Sequence, residues 1–141
     1  MNFDIVWTYL PLFLQGTVIT VQVVLTAIVL ATILGYFVAL MRRSPVPVLR
    51  WVAGVYVWVF RGLPLLLSLF FFYYALPQWG IQLDAFTAGV VAMTLNSAAF
   101  FSEIIRAGLA AVPRGQTEAA TAVGMNPLQV TTRVTLPQTV R

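Results

Sequence analysis

The chain has 141 residues, of which 60% are hydrophobic and only 9% are charged, and its formal net charge is +4. Soluble domains carry about 25% charged residues, so this composition excludes a soluble protein and predicts a membrane protein. Cysteine and histidine are both missing, which excludes disulfides, thiolate metal sites, thiol nucleophiles and the commonest general base. We therefore expect no catalytic and no metal-binding residues. All the basic residues are arginine, so a phosphate-binding loop that requires lysine is also excluded, and any ATP must be hydrolysed by another subunit.

The first hydrophobic stretch contains no charged residue between Asp4 and Arg42. As a single helix it would be about 55 Å long at 1.5 Å per residue, well above the roughly 30 Å of a hydrocarbon core. We therefore expect a break at Pro11 and Gly16. This division gives a periplasmic or interfacial N-terminal segment and a first span, residues 1–16 and 17–41.

Small residues recur at every fourth position within this span, at Ala31, Gly35 and Ala39. Such a stripe either lets another helix approach closely or is chance spacing in an alanine-rich helix.

Two further spans are predicted at residues 51–76 and 85–112, the first of them interrupted by Arg61-Gly62-Leu63-Pro64. Arginines follow the first and third spans, whereas the two remaining outer stretches carry only aspartate. The positive-inside rule then places the N-terminus outside and residues 113–137 in the cytoplasm. Because the arginines flank spans and do not line one face, we expect a lipid bilayer and not a nucleic acid as the partner of these charges.

The stretch after the third span is too poor in consecutive apolar residues to cross a bilayer and is predicted to form two short helices. Gly124 suits a left-handed residue that closes the first helix. Asn126 suits the N-cap of the second, with Pro127 at its first position and Gln129 three residues past the cap. Pro137 is expected to end the second helix. A short helical unit tethered to a membrane span is typical of a docking element.

The same stretch carries Glu118-Ala119-Ala120, then Gly124, then Val134-x-Leu136-Pro137. This pattern resembles the EAA loop of bacterial ATP-binding-cassette (ABC) importer permeases, with every spacing kept and valine in place of isoleucine. The resemblance implies that Glu118, Ala119, Ala120 and Gly124 couple the membrane helices to a cytosolic ATPase. Two roles stay open for Glu118: stabilising the helix from a position near its start, or contacting a basic residue of the ATPase.

Further motifs narrow the resemblance to permeases for polar amino acids, the group that serves histidine, glutamine, arginine and opines. They are Phe60-Arg61-Gly62-Leu63-Pro64, Asn96-Ser97-Ala98-Ala99-Phe100, Glu103-Ile104-Ile105-Arg106, Val112-Pro113-Arg114-Gly115-Gln116, and Leu136-Pro137-Gln138 with Arg141. Leu63 replaces the usual threonine and Phe100 the usual tyrosine, so any hydrogen bond of those hydroxyls is absent. Which amino acid is carried stays open.

The resemblance implies an all-α membrane protein with the type I ABC importer permease fold, located in the bacterial inner membrane. Relatives have about five spans, so with three spans and one coupling loop, residues 17–141 are expected to be an incomplete permease domain. The implied partners are a cytoplasmic ABC ATPase dimer that uses ATP and Mg²⁺, an extracytoplasmic solute-binding protein, and a second permease subunit, identical or different. No cofactor is expected on this chain.

Polar groups share one face of the predicted third span, and these are Asn96, Ser102, Glu103 and Arg106. An ionisable group in a bilayer should be paired or should face a polar cavity. Together with Arg61, Asn96, Glu103 and Arg106 are therefore candidates for a substrate path. Alternatively, Glu103 and Arg106 pair with each other or with Arg61 and only stabilise the helix bundle.

A channel or secondary carrier for small polar solutes is the alternative function. It would explain the spans and the polar face, but it gives no reason for a capped helix pair in the cytoplasm.

Overall fold

The computed structural model describes residues 4–139, and this part of the chain is helical with no strand, which confirms the all-α prediction. Six helical elements follow one another: α1 (Asp4–Arg43), α2 (Pro47–Gly62), α3 (Leu65–Trp79), α4 (Ala85–Ala111), α5 (Arg114–Ala122) and α6, which begins as Pro127–Gln129. α3 passes from α-helix (Leu65–Phe70) through π-helix (Phe71–Ala75) to 3₁₀-helix (Leu76–Trp79). α6 continues as π-helix (Val130–Thr135) and then as α-helix (Leu136–Thr139). Arg141, part of one predicted motif, lies outside the described residues.

Within the described residues, α1 and α4 are each long and apolar enough to cross a membrane, and α2 with α3 forms a third candidate only if the pair counts as one span. The axes of α2 and α3 meet at an angle of 104°. The second predicted span is thus sharply bent at the interruption that Arg61-Gly62-Leu63-Pro64 predicted. Leu63 is extended, with φ −94° and ψ 132°, because the residue before a proline avoids the helical region, and Pro64 has no N–H with which to continue the ladder.

α1 is continuous from Asp4 to Arg43, so the predicted break at Pro11 and Gly16 is wrong. Pro11 removes a single backbone hydrogen bond from a helix of 40 residues, and helices that span a membrane tolerate an internal proline. Whether the first sixteen residues lie at the outer surface stays a prediction.

The core is the parallel contact between α1 and α4, the most extensive helix pair among the described residues. It is built from small residues: Ala31 and Ala39 of α1 are fully buried, as is Ala98 of α4. At Gly35 the two backbones approach so closely that an added Cβ would lie 3.0 Å from Ala98 O. The small-residue stripe is therefore a close-packing face.

Candidate functional site

The turn between α5 and α6 is a Schellman motif, a specific helix-ending arrangement of two backbone hydrogen bonds. Gly124 has φ +86°, in the left-handed region that favours glycine. The amide of Met125 donates to Ala120 O at 3.1 Å and that of Gly124 to Thr121 O at 3.0 Å, which is the bonding pattern of this motif. The backbone role predicted for Gly124 is confirmed.

α6 begins with the predicted cap. The Asn126 side chain accepts a hydrogen bond from the Gln129 amide at 2.9 Å, and the Gln129 side chain accepts one from the Asn126 amide at 3.1 Å. This reciprocal capping box, with Pro127 at the first helical position, defines where the second helix starts. The expected stop at Pro137 is wrong, since the residue lies inside the helical stretch Leu136–Thr139. The preceding π-helical turn has already departed from the i→i−4 ladder, so the missing N–H disrupts less.

Several side chains of this two-helix unit are exposed, and they include both apolar and acidic groups. Val123 is 75% exposed and Leu128 71% exposed, one on each side of the Gly124 turn. Glu118 and Ala119 are also exposed, whereas Ala120 is buried, with 6% exposure. Glu118 is the fifth residue of the nine in α5, outside the first turn, so a position near the helix start is wrong. The Glu118 carboxylate makes no ion pair with any side chain that the structure describes.

A second group of candidate residues lies where α1 and α4 approach each other near their shared end. The Glu103 carboxylate accepts hydrogen bonds from Arg106 of its own helix, the shortest 2.8 Å from Nη2. Its other oxygen lies 3.4 Å from Arg42 Nη2 on α1. The Glu103 side chain is only 18% exposed, so one carboxylate links two helices. The predicted pairing with Arg106 is present.

Arg61 does not join this ion pair. Its guanidinium lies over the ring of Phe100, 5.5 Å from the centroid, a favourable cation–π geometry. Together with Arg42, Trp58 and Glu103, these two residues line an open cavity of about 460 Å³ between α1, α2 and α4. The cavity thus brings two of the four predicted path residues together, with aromatic rings beside charged groups.

The third predicted path residue, Asn96, is buried and stabilises the bend between α2 and α3. Its Nδ2 donates to Phe60 O at 2.9 Å and to Leu63 O at 3.4 Å. Nearby, the Tyr56 hydroxyl donates to Leu95 O at 2.6 Å. Carbonyl groups at a broken helix end have no intrahelical partner, so Asn96 satisfies the groups that the Leu63–Pro64 break leaves free.

The sequence interpretation missed two members of these clusters, Arg42 and Tyr56. The sequence analysis treated Arg42 only as one of the arginines that follow the first span, although the predicted span limits place both Arg42 and Glu103 near the same membrane face. That shared depth was a usable signal. Tyr56 carries no such signal, because its partner is a backbone carbonyl. Within residues 4–139, no group of three His, Cys, Asp or Glu side chains could hold a metal ion.

Comparison with known proteins identifies the family. Residues 27–141 match the model of the family described as binding-protein-dependent transport system inner membrane component. The chain is 43% identical to the arginine transport system permease protein ArtQ of Bacillus subtilis, and the match covers 98% of this chain and 64% of that protein. It is 38% identical to the probable glutamine ABC transporter permease protein GlnM of the same organism, over 100% of this chain and 65% of that one.

A solved structure, titled as an amino acid ABC transporter with histidines, has a TM-score of 0.88 and 40% sequence identity to this chain. The match covers 99% of this chain and 65% of that one. The chain therefore spans slightly less than two thirds of the length of each of these relatives. The predicted importer permease fold is confirmed.

Proposed function

Because this chain belongs to the family of binding-protein-dependent transport system inner membrane components, we propose that it is a membrane-spanning subunit of an ATP-driven importer for polar amino acids. The relatives named above are an arginine transport system permease protein and a probable glutamine ABC transporter permease protein. The ATP and Mg²⁺ would be used by a cytoplasmic ATPase dimer, and an extracytoplasmic solute-binding protein would deliver the amino acid. A second permease subunit, identical or different, would complete the pathway. In this arrangement the N-terminus lies outside and α5 lies in the cytoplasm.

The observation that carries this proposal is the exposure of apolar side chains on the α5–α6 unit. Val123 and Leu128 lie beyond the end of the α4 span, and they remain largely exposed. Exposed apolar groups outside the bilayer mark a protein interaction surface. The adjacent Glu118 carboxylate is available to a basic residue of the ATPase, and Ala119 permits close approach. A channel or secondary carrier has no use for such a surface.

We further propose that the cavity lined by Arg42, Arg61 and Glu103 belongs to the substrate path. Arg61 is exposed and forms no ion pair within residues 4–139, so its guanidinium can bind the carboxylate of an amino acid. Glu103 is partly neutralised by two arginines and retains lone pairs for an ammonium group. Arg106 and Asn96 would not contact the substrate. Arg106 would orient the Glu103 carboxylate, and Asn96 would stabilise the bend between α2 and α3.

Cysteine crosslinking tests the coupling role, since the chain has no native cysteine. A single cysteine at Ala119, which is exposed, should crosslink in membranes to a cysteine introduced in the ATPase cleft, with a yield that changes on adding ATP. A cysteine at Ala120 is the matched control: it is buried, so its yield should be several-fold lower. A well-inserted protein with equal, ATP-independent yields at both positions would contradict the proposal and favour the carrier.

Glu103→Gln in the assembled transporter tests the path. An unchanged amount of protein with lost or altered substrate preference would support contact with substrate. Loss of the protein itself would show that Glu103 serves only the helix pair.

A further inference from the structure

A second cavity, of about 450 Å³, lies between the end of α1 and the α5–α6 unit. Its walls come from Tyr36, Leu40 and Arg43 on one side and from Thr121 and Thr131 on the other. It lies at the boundary of the membrane whichever way the chain is oriented, because α1 and α4 both end there. It is separate from the cavity proposed for the substrate, with which it shares no residue.

The lining of this cavity is amphipathic. Leu109 and Val130, both buried, are apolar members of the lining, which also includes threonine hydroxyl groups and the guanidinium of Arg43. Tyr36 and Arg43, which both line the cavity, are about 10 Å apart along the axis of α1 at 1.5 Å per residue. A cavity at the bilayer boundary with both apolar and charged lining residues suits the part of a phospholipid where the acyl chains meet the headgroup.

The positive charge of Arg43 in the lining favours a phosphate group. Arg42 is engaged with Glu103 on the other side of α1, but its neighbour Arg43 has no carboxylate partner within residues 4–139. Basic pockets between membrane helices bind phospholipid headgroups, and an arginine beside hydroxyl groups binds phosphate oxygens through charge-assisted hydrogen bonds.

The threonine hydroxyl groups indicate which type of headgroup the cavity accepts. Thr121 donates its hydroxyl proton to Thr117 O at 2.8 Å, and Thr131 donates its own to Pro127 O at 2.9 Å. Both hydroxyl oxygens keep lone pairs, both residues line the cavity, and such lone pairs accept from a donor such as a primary ammonium group. We propose that this cavity binds an aminophospholipid of the ethanolamine type, its phosphate against Arg43 and its ammonium against Thr121 and Thr131.

Lipid titration of the purified full chain in detergent tests this proposal. Phosphatidylethanolamine, phosphatidylcholine and phosphatidylglycerol with identical acyl chains serve as probes, and native mass spectrometry measures occupancy. Ethanolamine lipid should bind more tightly than the other two, since choline has no N–H and glycerol has no positive charge. Equal binding of all three would overturn the proposal, and equal binding of the glycerol and ethanolamine lipids would reduce the cavity to a plain anion site.

Variants locate the site. Arg43→Gln should weaken binding of the ethanolamine lipid about tenfold or more, the loss expected for one charge-assisted hydrogen bond. Arg50→Gln is the matched control, an exposed arginine on α2 outside the cavity, and should change nothing. Thr121→Val with Thr131→Val should abolish the preference for ethanolamine over choline. Equal effects of Arg43→Gln and Arg50→Gln would overturn the proposal, and the comparison of lipids on the unmodified chain stands even if a variant fails to fold.

Discussion

The close approach of α1 to α4 at Gly35 makes Gly35→Ala a sharp test of the packing. The added Cβ would lie 3.0 Å from Ala98 O, 3.0 Å from Phe101 Cβ and 3.2 Å from Ser102 N, whereas carbon contacts are optimal at about 3.5–4.0 Å. Two of these atoms belong to the α4 backbone and the third is attached to it, so a side-chain rotation cannot relieve the contact. The helices must move apart.

Overpacking of this kind costs about 1–3 kcal/mol, and replacing glycine by alanine inside a helix returns about 0.5–1 kcal/mol. We expect a net loss centred on about 1 kcal/mol, which for a chain of this length corresponds to a melting temperature lower by roughly 2–4 °C. Gly16→Ala is the matched control on the same helix, because an added Cβ there meets no atom within 4 Å. It should be neutral or slightly stabilising.

Unfolding of both variants in mixed detergent micelles, followed by helical circular dichroism, measures the difference. Gly35→Ala should unfold at a lower SDS fraction and a lower temperature than Gly16→Ala. Coincident transitions for the two variants would refute the close backbone contact between α1 and α4.

Three further predictions concern the charged cluster and the helix ends. Glu103→Gln should lower stability by about 1–3 kcal/mol in the same assay, because it leaves two arginines without a carboxylate, while Glu118→Gln should have no effect; equal effects would contradict the ion-pair geometry. Gly124→Ala should lower the stability of the α5–α6 turn by about 1 kcal/mol, because alanine is strained at a φ of +86°. Amide exchange should become faster at this turn but not in α4. An equal increase in both places would contradict a local role for Gly124. Hydrogen bonds from Thr87, its hydroxyl above all, lower the pKa of Asp84 at the start of α4. The Asp84 cap therefore stabilises the folded state at pH values above the unfolded-state pKa of aspartate, and this stabilisation is lost as the pH falls through the lower folded-state pKa. Amide exchange at the start of α4 should accordingly become faster at low pH. In Asp84→Asn, which has no carboxylate to titrate, this dependence on pH should be absent.

Features that depend on neighbouring residues could be predicted from the sequence. The capping box at Asn126 and the left-handed Gly124 need only residues within a few positions of each other, and both are present as expected. The stripe at Gly35 was recognisable from spacing, but only the structure identifies α4 as its partner.

Features set by contacts distant in sequence could not be predicted. Phe60-Arg61-Gly62-Leu63-Pro64 indicated an interruption, but the angle of 104° between α2 and α3 depends on Asn96, more than thirty residues away. The break predicted at Pro11 rested on helix length, and a length argument cannot detect that a long helix absorbs one proline. In the charged cluster, the Glu103–Arg106 pair is local and was anticipated, whereas the link from Glu103 to Arg42 was not.

The short connection between α4 and α5 has a mechanical consequence. Only Val112 and Pro113 separate the two helices, both are extended, and the proline ring fixes one of the torsions. Two residues reach about 7 Å at most, and these two are already extended, so a pull on α5 is transmitted to α4. α4 in turn is joined to α1 by the contact at Gly35 and by the Glu103–Arg42 ion pair. A larger force applied at α5 must therefore move α4 and α1 as one body.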